Sequence, residues 1–242
     1  TAGVKAILDH KPTDELYEIL PNYLHRTGVN VLWRTSNWGE PKLNVDKYQN
    51  ATELNKIYPD KSIDHDEILL SGLREEIEAC EADKMLVVLH TSTSHGPTYY
   101  KKYPAPFEQF VPVCTTVEMS KANRSELVNA YDNSILYTDY VLHSVIELLR
   151  TLSDYRSCMI YVSDHGESLG EGNMYMHGVP MSMAPREQYE IPFIVWSSDS
   201  ETRYKEFERV GQYHVFHSVL HFLSIESPIY NENLNVFKPV EE

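Results

Sequence analysis

The chain has 242 residues, 21 basic against 36 acidic side chains, a formal charge of −15 at pH 7 and 42% hydrophobic content. That length supports one sizeable core. The acidity, with no basic cluster to interrupt it, excludes a general nucleic-acid surface, and no run of about 18 apolar residues is present to span a membrane. No signal peptide is visible. The first residue is Thr rather than Met, as in a fragment or a processed form, so an upstream membrane segment stays open. Acidity does not exclude an anionic substrate, because a bound cation reverses the local field.

In chain order, residues 15–26 carry apolar side chains at helical spacing, with Pro21 as a kink or break. Thr27-Gly28 then leads into a short β-rich run over 29–33. Residues 66–82 read as a helix with Leu69, Leu70, Leu73 and Ile77 on one face, opened by the acidic run Asp64-His65-Asp66-Glu67 at its positive end. A buried strand over 84–89 runs into His90-Thr91-Ser92-Thr93-Ser94-His95-Gly96-Pro97. A long helix over 125–151 has a stripe of Leu127, Ala130, Tyr131, Ile135, Val141, Val145, Ile146 and Leu149. Strands at 158–162 and 191–196 and a helix at 215–223 complete the pattern. Cys80, Cys114 and Cys158 match no zinc-binding spacing and allow at most one disulfide; they read as small buried hydrophobes.

Helices alternate with apolar strands that lack period-two patterning. This predicts an α/β fold, with a mostly parallel central sheet and helices on both faces. Ligands of such sheets sit beyond the carboxyl ends of the strands. Three of the strands end in polar residues: Trp33 to Asn37, His90 to His95, and Ser163-Asp164-His165.

Asp164 and His165 supply a carboxylate oxygen and an imidazole nitrogen, a pair suited to zinc and, through the carboxylate, to manganese or magnesium. Gly166 allows a sharp turn just after the strand. His95 and His177 offer further imidazoles, and a mixed Asp/His set without Cys is typical of hydrolytic or transfer sites. Taken singly, each of these histidines also reads as a hydrogen-bonded loop residue; the shared strand-end position favours the metal. His214, His217 and His221 have a helical spacing that suits a metal, but no strand end beside them, and read as packed or solvent-facing residues.

Four ordered stretches carry a family resemblance: Ser94 to Tyr100, Tyr131-Asp132-Asn133-Ser134-Ile135 with Tyr137-Thr138-Asp139, Tyr161 to Gly170, and Tyr175-Met176-His177-Gly178. Over residues 15–196 the chain resembles the periplasmic catalytic domain of bacterial phosphoethanolamine transferases. These include lipid A modifying enzymes linked to polymyxin resistance, and they belong with the sulfatases and alkaline phosphatases. The resemblance implies one soluble catalytic domain over 1–242 with an alkaline-phosphatase/sulfatase-like fold. It also implies that the family's first strand, with its zinc-binding glutamate, and the membrane region are absent. The implied place is the bacterial inner membrane, with this domain in the periplasm and membrane attachment through the missing N-terminal region.

The implied reaction is zinc-dependent transfer of phosphoethanolamine from phosphatidylethanolamine to lipid A or another envelope glycan or protein, through a phospho-threonine-type intermediate. Asp164 and His165 match the family's zinc ligands. His95 and His177 match histidines near the phosphoryl group, which can also hold a second zinc. Asn37 and Lys42 fall where the family contacts the head group. Thr1 is the threonine nearest the place of the nucleophile, where it is also a zinc ligand, and Thr13 is a poor second. The competing expectations are a sulfatase or phosphodiesterase on the same scaffold, and a metal-binding fragment without activity. Sulfatases use a Cys/Ser-x-Pro-x-Arg context, which this sequence lacks.

Overall fold

The structure is a computed structural model that describes residues 2–12, 15, 17–92, 94–118 and 121–238. The larger sheet has three parallel strands, with β1 (Asn30–Thr35) between β2 (Lys47–Asn50) and β3 (Met85–His90). Successive side chains of β1 point to opposite faces. Val31 and Trp33 enter the main core with Val4 and Leu8 of α1 (Ala2–Leu8), Leu20 and Leu24 of α2 (Leu20–Arg26), and Phe216 and Leu220 of α6 (His214–Phe222). Leu32 enters a second cluster with Leu73 and Ile77 of α4 (Leu73–Glu78), against which Leu148 and Leu149 of α5 (Arg124–Arg150) pack. Helices thus cover both faces of this sheet, as the sequence predicts.

The parallel order expected of the central sheet holds, and a second, smaller sheet beside it is antiparallel. β4 (Cys158–Val162) pairs antiparallel with β7 (Phe193–Ser197), Cys158 opposite Ser197. No α-helix lies between these strands; the chain makes a looped excursion and returns alongside in the antiparallel sense. That excursion contains a third, two-stranded antiparallel sheet, β5 (Ser168–Leu169) with β6 (Tyr175–Met176). Ile160, Val162 and Phe193 pack against the same core as Val31 and Trp33, so both larger sheets share one interior.

Several local expectations change for identifiable reasons. Pro21 stands in the first turn of α2, where its missing N–H costs nothing, so it starts the helix rather than kinking it. The expected helix at 66–82 is a 3-10 turn over Asp66–Leu70 and then α4, because Gly72 between them is left-handed at φ 59°. α3 (Ala51–Ile57) was not anticipated, although Asn50 and Glu53 form a capping box at its start. On α5, Ile135 faces solvent, and the buried face carries Asn133, Ser134, Tyr137 and Thr138 instead.

Buried polar side chains tie the strand ends together. Asp66 accepts from Ser36 Oγ, just after β1, and from Ser92 N, just after β3 (3.0 Å). It acts as a clip between loops, beyond the helix-dipole role read from the sequence. Arg34 is fully buried and gives its guanidinium to Gln49 Oε1, Leu69 O and Ser71 O. Asn133 accepts from the backbone N–H groups of Gln109 and Phe110 (2.9 and 2.8 Å) and donates to Phe110 O and Tyr103 OH. All three cysteines are free, as small hydrophobes should be, and burial pushes the Cys158 thiol up to about 12. No helix among the described residues is long and apolar enough to cross a membrane.

Asn133→Ala leaves two backbone N–H groups and a carbonyl of the 103–110 segment without their partner. It should lower unfolding stability by about 2–4 kcal/mol, read as an earlier urea midpoint. The histidines of α6 are packed rather than solvent-facing, and burial is the first cause that holds His214, His217 and His221 below the ordinary 6.5. The unfolded chain therefore takes up these protons more readily than the folded one. Their contribution is complete above about pH 6.5 and is lost as pH falls through the lowered folded values. In metal-free protein the urea midpoint should fall from pH 7.5 to 5.5, and less steeply in His217→Asn.

Candidate metal centre

Three strand ends deliver the site. After β3, Ser134 Oγ on α5 donates to Ser94 Oγ (2.9 Å), holding Ser94 in the left-handed region at φ 62° and presenting His95 next to it. After β4, Gln212 Nε2 donates to the carbonyls of Ser163 and Asp164 (2.9 and 2.8 Å), which fixes the Asp164-His165 corner. Gly166 follows. A Cβ there would lie 2.0 Å from Glu187 O, while Gly166 N donates to Gln188 O (2.9 Å). Its φ is not left-handed. Glycine is required by this backbone approach rather than by the sharp turn expected from sequence.

The β5–β6 hairpin brings the last imidazole home. Ser168 pairs with Met176, so the next residues outward, Glu167 and His177, face each other. His177 Nδ1 lies 3.0 Å from Glu167 Oε1. The eleven residues between His165 and His177 are folded away in the hairpin, and the two rings stack with centroids 3.7 Å apart. His95 completes the set, its ring centroid 5.2 Å from that of His177 and 6.0 Å from that of His165.

One ligand atom from each of His95, His165 and His177 lies within 4.8 Å of the others. The hydrogen bonds select which atom. His95 Nδ1 faces Gly96 O (2.7 Å), His165 Nδ1 faces Gly166 O (3.0 Å) and His177 Nδ1 faces the Glu167 carboxylate. Carbonyl and carboxylate oxygens only accept, so each Nδ1 carries a proton and each Nε2 lone pair is left free. Tetrahedral zinc needs nitrogen separations of about 3.3 Å, from bond lengths near 2.0–2.1 Å, inside the 4.8 Å within which the three ligand atoms lie. Asp164 stands beside this triangle, Oδ1 3.6 Å from His165 Nε2. The donor set therefore fits a divalent ion such as zinc.

The other expected residues are placed as follows. Thr1 and Thr13 lie outside the described residues. Gly3, two residues after Thr1, packs directly on Asp164: a Cβ on it would meet Asp164 O at 2.6 Å. Asn37 donates from Nδ2 to Thr91 O (3.0 Å) and accepts from Trp38 N (2.9 Å), so it fixes the loop after β1; the Trp38 ring stands 6.2 Å from that of His95. Lys42 is exposed, and its carbonyl accepts from Asn22 Nδ2 (3.0 Å).

Sequence reasoning gave no role to Glu167. Its carboxylate is buried and also accepts from Gly96 N (3.3 Å), so it links the loops of His95 and His177. Its Oε2 and the nearby Tyr99 hydroxyl are buried without a hydrogen-bond partner. Burial, and then the Glu167 charge, keep that phenol protonated far above its usual range. The missed signal was the pairing of Glu167 with His177 across a Gly170-containing hairpin.

With this geometry in hand, the sulfatase family pattern matches residues 4–225. The chain belongs to the sulfatase family. Among proteins like this sulfatase-family chain, the phosphoethanolamine transferase EptA of Helicobacter pylori is 39% identical over the whole chain and 48% of its own length. The C-terminal periplasmic domain of phosphoethanolamine transferase EptC from Campylobacter jejuni has a TM-score of 0.83 at 35% identity, over 96% of this chain and 76% of that one. The soluble domain of lipooligosaccharide phosphoethanolamine transferase A from Neisseria meningitidis has a TM-score of 0.83 at 30% identity, over 98% of this chain and 78% of that one. The chain spans about half the length of the curated relative from Helicobacter pylori.

Glu167→Gln keeps the volume and removes the carboxylate behind His177. It should weaken binding of a second zinc at His95 and His177 by about 10–100-fold in a competition titration against a chelator, leaving one zinc bound and the fold intact by circular dichroism. Gly166→Ala forces the 187–188 backbone away and should abolish tight zinc binding in the same titration.

Proposed function

We propose that this chain is the catalytic domain of a zinc-dependent phosphoethanolamine transferase. Its donor is phosphatidylethanolamine, and its acceptor is lipid A or a related envelope glycolipid. The observation that carries this reading is the convergence of three imidazoles, His95, His165 and His177, with the Asp164 carboxylate beside His165, on loops that adjoin strand ends in a sulfatase-family chain. The relatives in which the same domain is found are named for phosphoethanolamine transfer. The family's lipooligosaccharide transferase supports a glycolipid acceptor, and with it a periplasmic setting at the bacterial inner membrane.

Asp164 and His165 hold the ion, with the Thr1 hydroxyl as a further donor. Bound zinc supplies charge neutralisation at the phosphoryl oxygens and eases loss of the proton from a neighbouring hydroxyl. The Thr1 oxygen forms a bond to phosphorus as the bond from phosphorus to the diacylglycerol oxygen breaks. His177 takes the Thr1 proton at Nε2, and the Glu167 carboxylate at its Nδ1 stabilises the imidazolium that results. That proton passes from His177 to the departing glycerol oxygen, and His95 Nε2, on the opposite side of the triangle, takes the acceptor hydroxyl's proton in the second step and passes it to Thr1. The acceptor oxygen then attacks phosphorus, and Thr1 leaves with its proton restored. Asn37 and Lys42 are assigned to the head-group side, with Lys42 opposing the phosphate charge. Gly3 against Asp164 supports the nucleophile assignment, because it brings the start of α1 to the metal corner.

The test is peptide-mapping mass spectrometry after incubation with phosphatidylethanolamine. Phosphoethanolamine on Thr1 is expected; an adduct on another residue overturns the nucleophile assignment. His165→Ala should lose zinc and transfer together. His177→Ala should lower transfer by about 10²–10⁴-fold while one zinc remains; full activity in that variant would remove His177 from the reaction.

A further inference from the structure

The three most exposed large apolar side chains among the described residues are Trp38 (69%), Met181 (69%) and Met183 (64%). All three stand on the two segments that flank the histidine triangle. Trp38 follows Asn37 and lies beside His95. The methionines lie on the loop that leaves His177 through Gly178, left-handed at φ 96°, and is pinned at its far end by Gly166 N donating to Gln188 O. Both anchors of this loop therefore belong to the metal centre. Its tip is a tight turn in which Met183 N and Ala184 N both donate to Pro180 O (2.8 and 2.9 Å), which holds the two methionines outward.

Charge points the same way. In a chain of net charge −15, residues 35–39 and 178–185 contain no charged side chain. An acidic body would be repelled by an anionic surface, whereas these two uncharged, apolar segments desolvate at little cost. Scattered exposed apolar residues need no explanation, but two uncharged apolar loops that both adjoin one site do. Tryptophan has an amphipathic ring suited to the head-group level of a bilayer, and unbranched methionine adapts to irregular apolar contact.

We propose that Trp38, Met181 and Met183 form a membrane-seating collar that sets the metal centre against the surface of a phospholipid bilayer. The collar shelves into the boundary between head groups and acyl chains, where a phosphodiester at head-group depth meets the histidines without leaving the bilayer. This rests on the proposed transfer reaction for its purpose, while the seating itself is measured independently of any turnover.

The 242-residue chain is mixed with vesicles of phosphatidylcholine and phosphatidylethanolamine whose acyl chains are brominated, and tryptophan fluorescence is followed. Trp33 is buried and Trp196 half-buried, so collar seating appears as quenching that Trp38→Phe removes. The double variant Met181→Ser with Met183→Ser, at exposed positions that do not threaten folding, should partition onto these vesicles about tenfold less. It should keep wild-type turnover of a water-soluble phosphoethanolamine ester while losing turnover of the vesicle lipid. Absence of vesicle binding overturns the proposal and makes the collar a protein contact. Quenching that persists in Trp38→Phe, or equal loss on both substrates in the methionine variant, also overturns it. Collar-dependent quenching in a protein that transfers nothing would sink the transferase reading and leave the seating in place.

Discussion

Each imidazole of the centre gives its Nδ1 proton to an oxygen behind it, and the rest of the site follows from that. For His95 and His165 the oxygen is the carbonyl of the following glycine; for His177 it is the buried Glu167. These bonds fix ring orientation and tautomer together, so three lone pairs meet at one place before any ion is bound. A neutral hydrogen-bond partner suffices where the ring sits next to its own backbone. Where the ring comes from a hairpin, a carboxylate secures it, and that carboxylate also takes the N–H of Gly96. Glu167 therefore joins two of the three arms of the centre.

The larger architecture serves to hold those arms still. Strand ends are places where backbone groups run out of ladder partners, and here side chains supply them. Asp66 spans the ends of β1 and β3, Gln212 reaches the end of β4, and Asn133 secures the loop beyond His95 from the long helix. Beneath them, apolar residues of both larger sheets share one core. The polar rim is thus rigid because its ties are buried, and the rings themselves stay half-exposed to one side.

What was legible in the sequence reflects the range of the forces involved. The strand at Cys158–Val162 and the long helix were readable to within a residue or two, because their apolar patterns are local and strong. The Asp164-His165 corner and the two outlying histidines were readable as motifs at strand ends. The antiparallel sense of β7 was hidden, since nothing in Phe193 to Ser197 records which neighbour it meets. Asn133 and Arg34 drew no reading from the sequence, because the loops on which they spend their hydrogen bonds are distant in the chain. Glu167 was passed over because its value depends on a register, Ser168 opposite Met176, that appears only when the hairpin closes.

Gly3 has a consequence of its own. With no side chain between them, the backbone of α1 lies directly on Asp164, and the same short helix sends Val4 and Leu8 into the main core. A cation held at Asp164 would therefore be linked to the docking of α1 against the sheet. Whatever factor the ion adds to the docking of the helix, the docked helix must add to the affinity for the ion. An ion there would act as a rivet that fastens the amino-terminal helix to the body of the protein, in addition to any chemistry it serves.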